Sequence, residues 1–150
     1  MQEIKSALYQ LCLNFIESRI KTAQTALAQA REASNDDTKS SAGDKFETSR
    51  EMAQQDIDRN KRLLMDAEQQ QNQLLQLKEV AFSPMARNGS LVYTDNGNFY
   101  LSISAGQLEH NQQIYFAIST ASPIGKLLLG KKKGAAFEFN GKKYVVREVG

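Results

Sequence analysis

Apolar residues in the first 80 positions recur at the spacing of a helix face. Between residues 3 and 34 the steps alternate between three and four, which draws one apolar seam along a helix. Its members are Leu13, Ile16, Ile20, Ala23, Leu27 and Ala30. The same steps return further along the chain at Ala53, Ile57, Asn60, Leu64, Ala67, Gln71 and Leu74. The pattern predicts two long helices, from about Glu3 to Ser34 and from about Asp44 to Val80.

The segment between these helices is polar and rich in turn-forming and helix-capping residues. Two long helices joined by a short polar turn pack antiparallel. Residues 1–80 are therefore expected to form a coiled-coil hairpin with its tip at about 35–44. Arms of about 32 residues would reach roughly 48 Å at the rise of an α-helix. The seam is thin, because Ala, Asn and Gln are among its members and offer little apolar surface. A seam of this kind favours a two-helix hairpin over a four-helix bundle.

After Pro84 the spacing changes from helical to strand-like. β-branched and aromatic residues mark five short segments, at 90–94, 98–103, 113–119, 137–139 and 143–147, and two Asn-Gly pairs indicate tight hairpins. Ser122 and Pro123 are typical of an N-cap and a first helical residue, and Gly130 of a helix stop. Residues 81–150 are expected to form a small antiparallel β-sheet domain with one short helix, and the predicted fold class is α+β.

Composition is that of a globular protein, with 41% hydrophobic and 24% charged residues. No apolar run is long enough to span a membrane, and the N-terminus lacks the pattern of a secretory signal. The single cysteine, Cys12, lies between two leucines and is expected to be a buried apolar side chain. A cytoplasmic location without a membrane partner is predicted.

Two patterns that could carry chemistry are weak. Residues 125–132 resemble a phosphate-binding loop, but they lack the Ser or Thr that should follow the lysine, and three leucines fill the loop. A helix that stops at Gly130 explains them better. His110 is the only histidine and has no cysteine or acid cluster at metal-ligand spacing. We therefore expect His110 to be an exposed loop residue and not part of a zinc site or a catalytic triad.

Acidic residues gather at the predicted tip, at Asp36, Asp37, Asp44 and Glu47. Asp44 and Glu47 are three residues apart on the first turn of the second helix, so their carboxylates share a face. One interpretation is structural, because acids stabilise a helix N-terminus. The other interpretation is that carboxylates at the end of a long arm enter another protein's site and help to ligate magnesium.

Charge is divided unevenly along the chain. Residues 1–80 carry 11 Lys and Arg against 13 Asp and Glu, whereas residues 81–150 carry 8 against 4. Much of the positive charge falls late, at Lys131, Lys132, Lys133, Lys142, Lys143 and Arg147. This basic face is either a solvated surface near a sheet edge or a surface for nucleic acid or an acidic protein.

Residues 118–134 (ISTASPIGKLLLGKKKG) resemble the C-terminal signature of the Gre family of bacterial transcript-cleavage factors. In that signature Ile-Ser, Ser-Pro, Leu and Gly-Lys recur at these spacings, and a glycine closes the pattern. The strand at 141–149 is similar as well. Residues 46–55 (FETSREMAQQ) resemble, less closely, the start of the family's second helix. With the order of hairpin and β-domain, the resemblance covers nearly the whole chain.

The resemblance implies a transcription elongation factor whose FKBP-like C-terminal domain docks on RNA polymerase, through Ser122, Pro123 and Ile124. The coiled coil would enter the secondary channel, where tip acids share magnesium with the polymerase active site. The polymerase itself would then cleave the backtracked nascent RNA. By resemblance Asp44 and Glu47 are the tip acids. Asp36 and Asp37 are the second candidates for this role.

The same resemblance implies that the chain is not itself an enzyme and has no cofactor or metal of its own. It would act as a monomer and regulate transcription while the polymerase is bound to DNA. The tip departs from the family pattern, because SSAGDKFE at residues 40–47 stands where the family has G-D-L-x-E-N-A-E-Y. Relatives with altered acidic tips inhibit polymerase.

Three functions stay open. In the first, the chain stimulates cleavage of backtracked RNA. In the second, it inhibits or modulates polymerase from the secondary channel without cleavage. In the third, it is a protein-interaction hairpin unrelated to transcription.

Overall fold

A computed structural model describes the backbone of residues 1–39 and 43–150, and the side chains of residues 1–35 and 48–150. Two helices come first, α1 (Gln2–Lys39) and α2 (Gly43–Leu75), and they pack as a hairpin. The remaining elements lie in residues 76–150, which are described without a gap: β1 (Leu91–Thr94), β2 (Gly97–Ser102), β3 (Gly106–His110), β4 (Gln113–Ser119), α3 (Pro123–Leu128), β5 (Ala136–Phe139) and β6 (Lys142–Val149). The predicted α+β class is confirmed.

Contacts group the chain into two compact units. One contains Met1–Phe15 and Asn72–Gly150, and the other contains Ile16–Gln71. We call the first the sheet unit and the second the hairpin unit. The sequence predicts a domain boundary at residue 80, with residues 1–80 and residues 81–150 each folding independently. This boundary stays a prediction.

The hairpin unit forms around the predicted apolar seam. Its buried members are Ile16, Ala23, Leu27, Ala53, Ile57, Asn60 and Ala67. Alanine and asparagine occupy positions where a coiled coil usually places leucine or isoleucine, so the contact between the helices is thin. Among the described parts of α1, α2 and α3, none is long and apolar enough to cross a membrane.

The helix ends differ from the prediction. α1 continues to Lys39 rather than ending at Ser34, because residues 34–39 contain no glycine or proline that would stop it. α2 ends at Leu75 rather than at Val80. The N–H of Leu77 donates to the carbonyl of Leu74 at 2.8 Å, a tightened bond typical of a last helical turn.

The sheet unit contains one mixed sheet in the order β3-β4-β2-β1-β6-β5. The prediction of an entirely antiparallel sheet is wrong for one pair, since β2 and β4 run parallel with Phe99 opposite Phe116. The parallel pair arises because β3 comes between them in sequence and pairs antiparallel with β4. β3 carries a single apolar residue, Leu108, so its spacing does not predict a strand.

Each face of the sheet has its own apolar layer. One face packs against α3 through Ala86, Val92, Phe99, Leu101, Leu128, Tyr144, Val146 and Val149. The start of α1 belongs to the other face, where the thiol of Cys12 lies 3.7 Å from the hydroxyl of Ser102. Cys12 is fully buried, as predicted.

Two hairpin turns have similar positive φ angles but different residues. Asn140 and Gly141 join β5 to β6 at φ of 50° and 78°. Asn111 and Gln112 join β3 to β4 at φ of 49° and 65°. Glycine and asparagine tolerate this left-handed region, whereas glutamine is strained there.

Candidate functional site

The start of α3 is a compact polar turn built on Ser122. The Ser122 hydroxyl accepts from the N–H of Gly125 at 3.1 Å and donates to the carbonyl of Ser119 at 2.6 Å. The N–H of Ser122 donates to the same carbonyl at 3.0 Å. Pro123 follows at the first helical position, where the missing N–H removes no helical bond. The predicted N-cap is confirmed.

Gly125 is buried within α3, and the turn leaves no space beside it. A Cβ at this position would collide with the carbonyl oxygen of Ser119 and would lie 2.8 Å from the Ser122 hydroxyl oxygen. The residues after Gly125 continue the helix to the fully buried Leu128. This segment is therefore part of the packed core and does not form a phosphate-binding loop.

The three predicted docking residues lie side by side at the start of α3, but they differ in what they offer a partner. The Ser122 hydroxyl is engaged on both sides by the turn. Ile124 is half-buried against the core under α3. Pro123 is exposed. Of the three, Pro123 has the side chain that is most accessible for docking.

The predicted basic face is divided between the two ends of the β5–β6 hairpin. Gly134, next to Lys133, donates its N–H to the carbonyl of Val146. Lys142 lies four residues earlier on β6, which is roughly 13 Å away along a strand. Lys131, Lys132 and Lys133 therefore lie at one end, and Lys142 and Lys143 at the other. The exposed Arg147 falls at an irregularity in the β1–β6 pairing.

A loop before the sheet, residues 81–87, is held in place by its own hydrogen bonds. The Ser83 hydroxyl donates to the carbonyl of Met85 at 2.8 Å, and the guanidinium of Arg87 donates to the carbonyl of Ala81 at 2.6 Å. The loop also pairs with the chain after α3. Ala86 donates to the carbonyl of Lys131 and accepts from the N–H of Gly130, both at 2.8 Å. The spacing of apolar residues predicts helices and strands, and it does not predict this loop because the loop is neither.

In the hairpin unit, polar residues line one side of the seam. The guanidinium of Arg19 donates to the side-chain carbonyl of Gln70 at 2.6 Å, linking α1 to α2. The amide of Asn60 is turned back to the carbonyl of Asp56 on its own helix, at 2.9 Å. A shallow groove of about 120 Å³ lies beside them, lined by Arg19, Thr22, Ala23, Ala26, Asn60 and Leu63.

Burial changes the acidity of several groups in the sheet unit. It raises the pKa of the Cys12 thiol to about 11, although the hydrogen bond with Ser102 acts in the opposite direction. It also raises the pKa of Tyr100. Burial and the nearby charge of Arg87 lower the pKa of Lys5, whose ammonium donates to the carbonyl of Val80 at 3.3 Å. At neutral pH the thiol is protonated and a poor nucleophile.

The side chains of Asp36, Asp37, Asp44 and Glu47 lie outside the described residues. Their backbone places the first two in the last turns of α1 and the other two at the start of α2. Among the described side chains, no group of three potential metal ligands occurs. His110 is the last residue of β3 and half-buried, rather than in an exposed loop.

No protein-family model matches this chain, and a search of curated proteins gives no match. The resemblance to the Gre family therefore rests on the residues quoted above.

Proposed function

We propose that this chain is a Gre-type factor that binds RNA polymerase, places its helical hairpin in the secondary channel and stimulates cleavage of backtracked nascent RNA. In this proposal the sheet unit contains an FKBP-like docking domain. The protein acts as a cytoplasmic monomer and is not itself an enzyme.

The observation that carries the proposal is the structural role of the signature in residues 118–134. Ser119 and Ser122 form the turn before α3, and Leu128 is fully buried. Gly130 and Gly134 have φ of 80° and 90°, in the region that favours glycine. The residues that resemble the family are thus those that this local fold requires, which supports a shared local fold rather than a chance match of letters.

The hairpin unit supports the proposed role of a reaching arm. Residues 16–39 of α1 rise about 36 Å and residues 43–71 of α2 rise about 44 Å, at 1.5 Å per residue. The thin seam keeps the two helices close, and no third helix belongs to this unit among the described residues. A pair of helices presents little lateral bulk, which suits a segment that enters a channel.

The proposed chemistry at the tip needs the polymerase. Magnesium prefers six oxygen ligands and retains several waters, so Asp44 and Glu47 alone are too few to bind it tightly. Bound between the polymerase carboxylates and these acids, magnesium would stabilise the charge that develops during RNA hydrolysis. The tip acids would position that ion, and the reaction would remain the polymerase's own.

A proximity experiment tests the channel placement. Cys12 is fully buried, so a cysteine introduced at the exposed Glu51 can be labelled selectively with a photocrosslinker. We expect Glu51→Cys to crosslink to polymerase segments that line the secondary channel. The matched control, Lys143→Cys in the sheet unit, should crosslink elsewhere. If both positions give the same crosslinks, or if the bound Glu51→Cys protein gives none in the channel, the proposal fails.

A further inference from the structure

The sheet unit has a second surface, at the C-terminal end of α3, that the docking residues around Ser122 do not include. We propose that it binds an acidic, partly apolar segment of a partner protein. The identity of the partner as RNA polymerase rests on the proposed function. The surface consists of Phe82, Met85, Leu129, Lys131, Lys132 and Lys133, and we call it the lysine–methionine patch.

The centre of the patch is apolar and open to solvent. Phe82 is 64% exposed, Met85 43% and Leu129 39%. Single exposed apolar residues are common, but here the backbone brings the segment of Met85 beside the segment of Leu129, and Phe82 lies three residues before Met85 in the same loop. Met85 pairs with Lys132 in an antiparallel bridge, and Gly130, directly after Leu129, bonds to Ala86.

The rim of the patch is positively charged without a compensating acid in its own segments. No Asp or Glu occurs in residues 80–94 or in residues 110–137, the two stretches that supply the patch. Within the described part of the chain, the side chains of Lys132 and Lys133 are exposed and form no ion pair. Their field is therefore available to attract an acidic partner.

An apolar centre with a charged rim is the anatomy of a protein–protein interface. Methionine and leucine adapt to apolar side chains of a partner, whereas single-stranded nucleic acid is usually bound by several aromatic rings that stack on bases. Phe82 is the one aromatic residue of this patch. The chemistry of the patch therefore favours an acidic protein segment with apolar side chains over RNA.

Binding of the full chain to core RNA polymerase tests the patch, measured at several salt concentrations. Lys132→Glu with Lys133→Glu should weaken binding at least tenfold and reduce its salt dependence. Met85→Gln with Leu129→Gln, which leaves the charge unchanged, should weaken it several-fold. The matched control is Lys142→Glu with Lys143→Glu, which makes the same change in net charge at the far end of the β5–β6 hairpin and should stay within twofold of wild type.

The possible outcomes separate this inference from the proposed function. If wild type binds polymerase and both lysine pairs have the same effect, or neither has one, the patch is not the docking surface while the proposed function stands. If only the patch variants lose affinity for a single-stranded RNA oligonucleotide and their polymerase binding is unchanged, the patch binds RNA and the inference is wrong. If wild type does not bind polymerase at all, both proposals fail.

Discussion

Replacing Gly125 by alanine should destabilise the sheet unit, although the same change usually stabilises a helix. Glycine within a helix costs about 1 kcal/mol relative to alanine, so propensity alone predicts a gain. Here the added Cβ would collide with the Ser119 carbonyl oxygen, which accepts from both the N–H and the hydroxyl of Ser122. The turn must therefore move, and the N-cap bond from Gly125 to Ser122 is lost with it.

The magnitude follows from the bonds that meet at this turn. Loss of an N-cap costs about 1 kcal/mol, and each of the two further hydrogen bonds contributes about 1 kcal/mol net. After subtraction of the gain in helix propensity, Gly125→Ala should lower the free energy of unfolding by about 2 kcal/mol. The sign of the change is the decisive feature, because sterics and propensity predict opposite signs.

Urea unfolding followed by tyrosine fluorescence is a suitable assay, because all five tyrosines lie in residues assigned to the sheet unit. Gly134→Ala is the control: nothing lies within 4 Å of its added Cβ, so only the φ of 90° opposes the change. It should cost about 1 kcal/mol. A Gly125→Ala protein as stable as wild type, or more stable, would refute the steric argument.

Three further predictions concern stability. Asn60→Leu should stabilise the hairpin by about 1 kcal/mol, because it replaces a buried amide in the seam with an apolar side chain; a lower melting temperature in the far-ultraviolet circular dichroism signal would contradict this. Gln112→Gly should add about 1 kcal/mol by relieving the left-handed backbone, as Gly141 does in the equivalent turn, and an unchanged urea midpoint would count against it. The pKa of Cys12 rises on folding from about 9 to about 11, so the folded state holds the thiol proton more tightly than the unfolded state does. The free energy of unfolding should therefore fall as the pH rises between these two values, by about 1.4 kcal/mol at pH 10. Cys12→Ala should remove this part of the pH dependence. The lowered pKa of Lys5 acts in the opposite direction, but equally in both proteins. If the free energy of unfolding has the same slope against pH in wild type and in Cys12→Ala from pH 8 to 10.5, the argument is wrong.

The sequence predicts the elements whose stability comes from local patterns. The seam through Ile16, Ile57 and Ala67 needs only helical spacing, and the cap at Ser122 needs only neighbouring residues. β3 escapes prediction because it is stabilised by pairing with β4 rather than by an apolar face of its own. The parallel pairing of β2 with β4 follows from that missed strand.

Candidate functional residues are predictable to the extent that their role is local. Ser122 is identified by its capping pattern, and the same local role engages its hydroxyl within the turn. The lysine–methionine patch depends on the bridge between Met85 and Lys132, which are distant in sequence and carry no pairing signal. Long-range contacts of this kind determine which charges lie together, and they leave Lys142 and Lys143 apart from the patch.

Release of short 3′ RNA fragments from a stalled, backtracked elongation complex tests the central claim most directly. The full chain with magnesium should accelerate this cleavage. Asp44→Asn with Glu47→Gln should abolish the acceleration while leaving polymerase binding within about twofold, whereas Asp36→Asn with Asp37→Asn should have a smaller effect. A wild-type protein that binds the complex but slows cleavage or elongation would identify a secondary-channel inhibitor instead. If the Asp44 and Glu47 variant retains full acceleration, the proposed role of the tip acids is wrong.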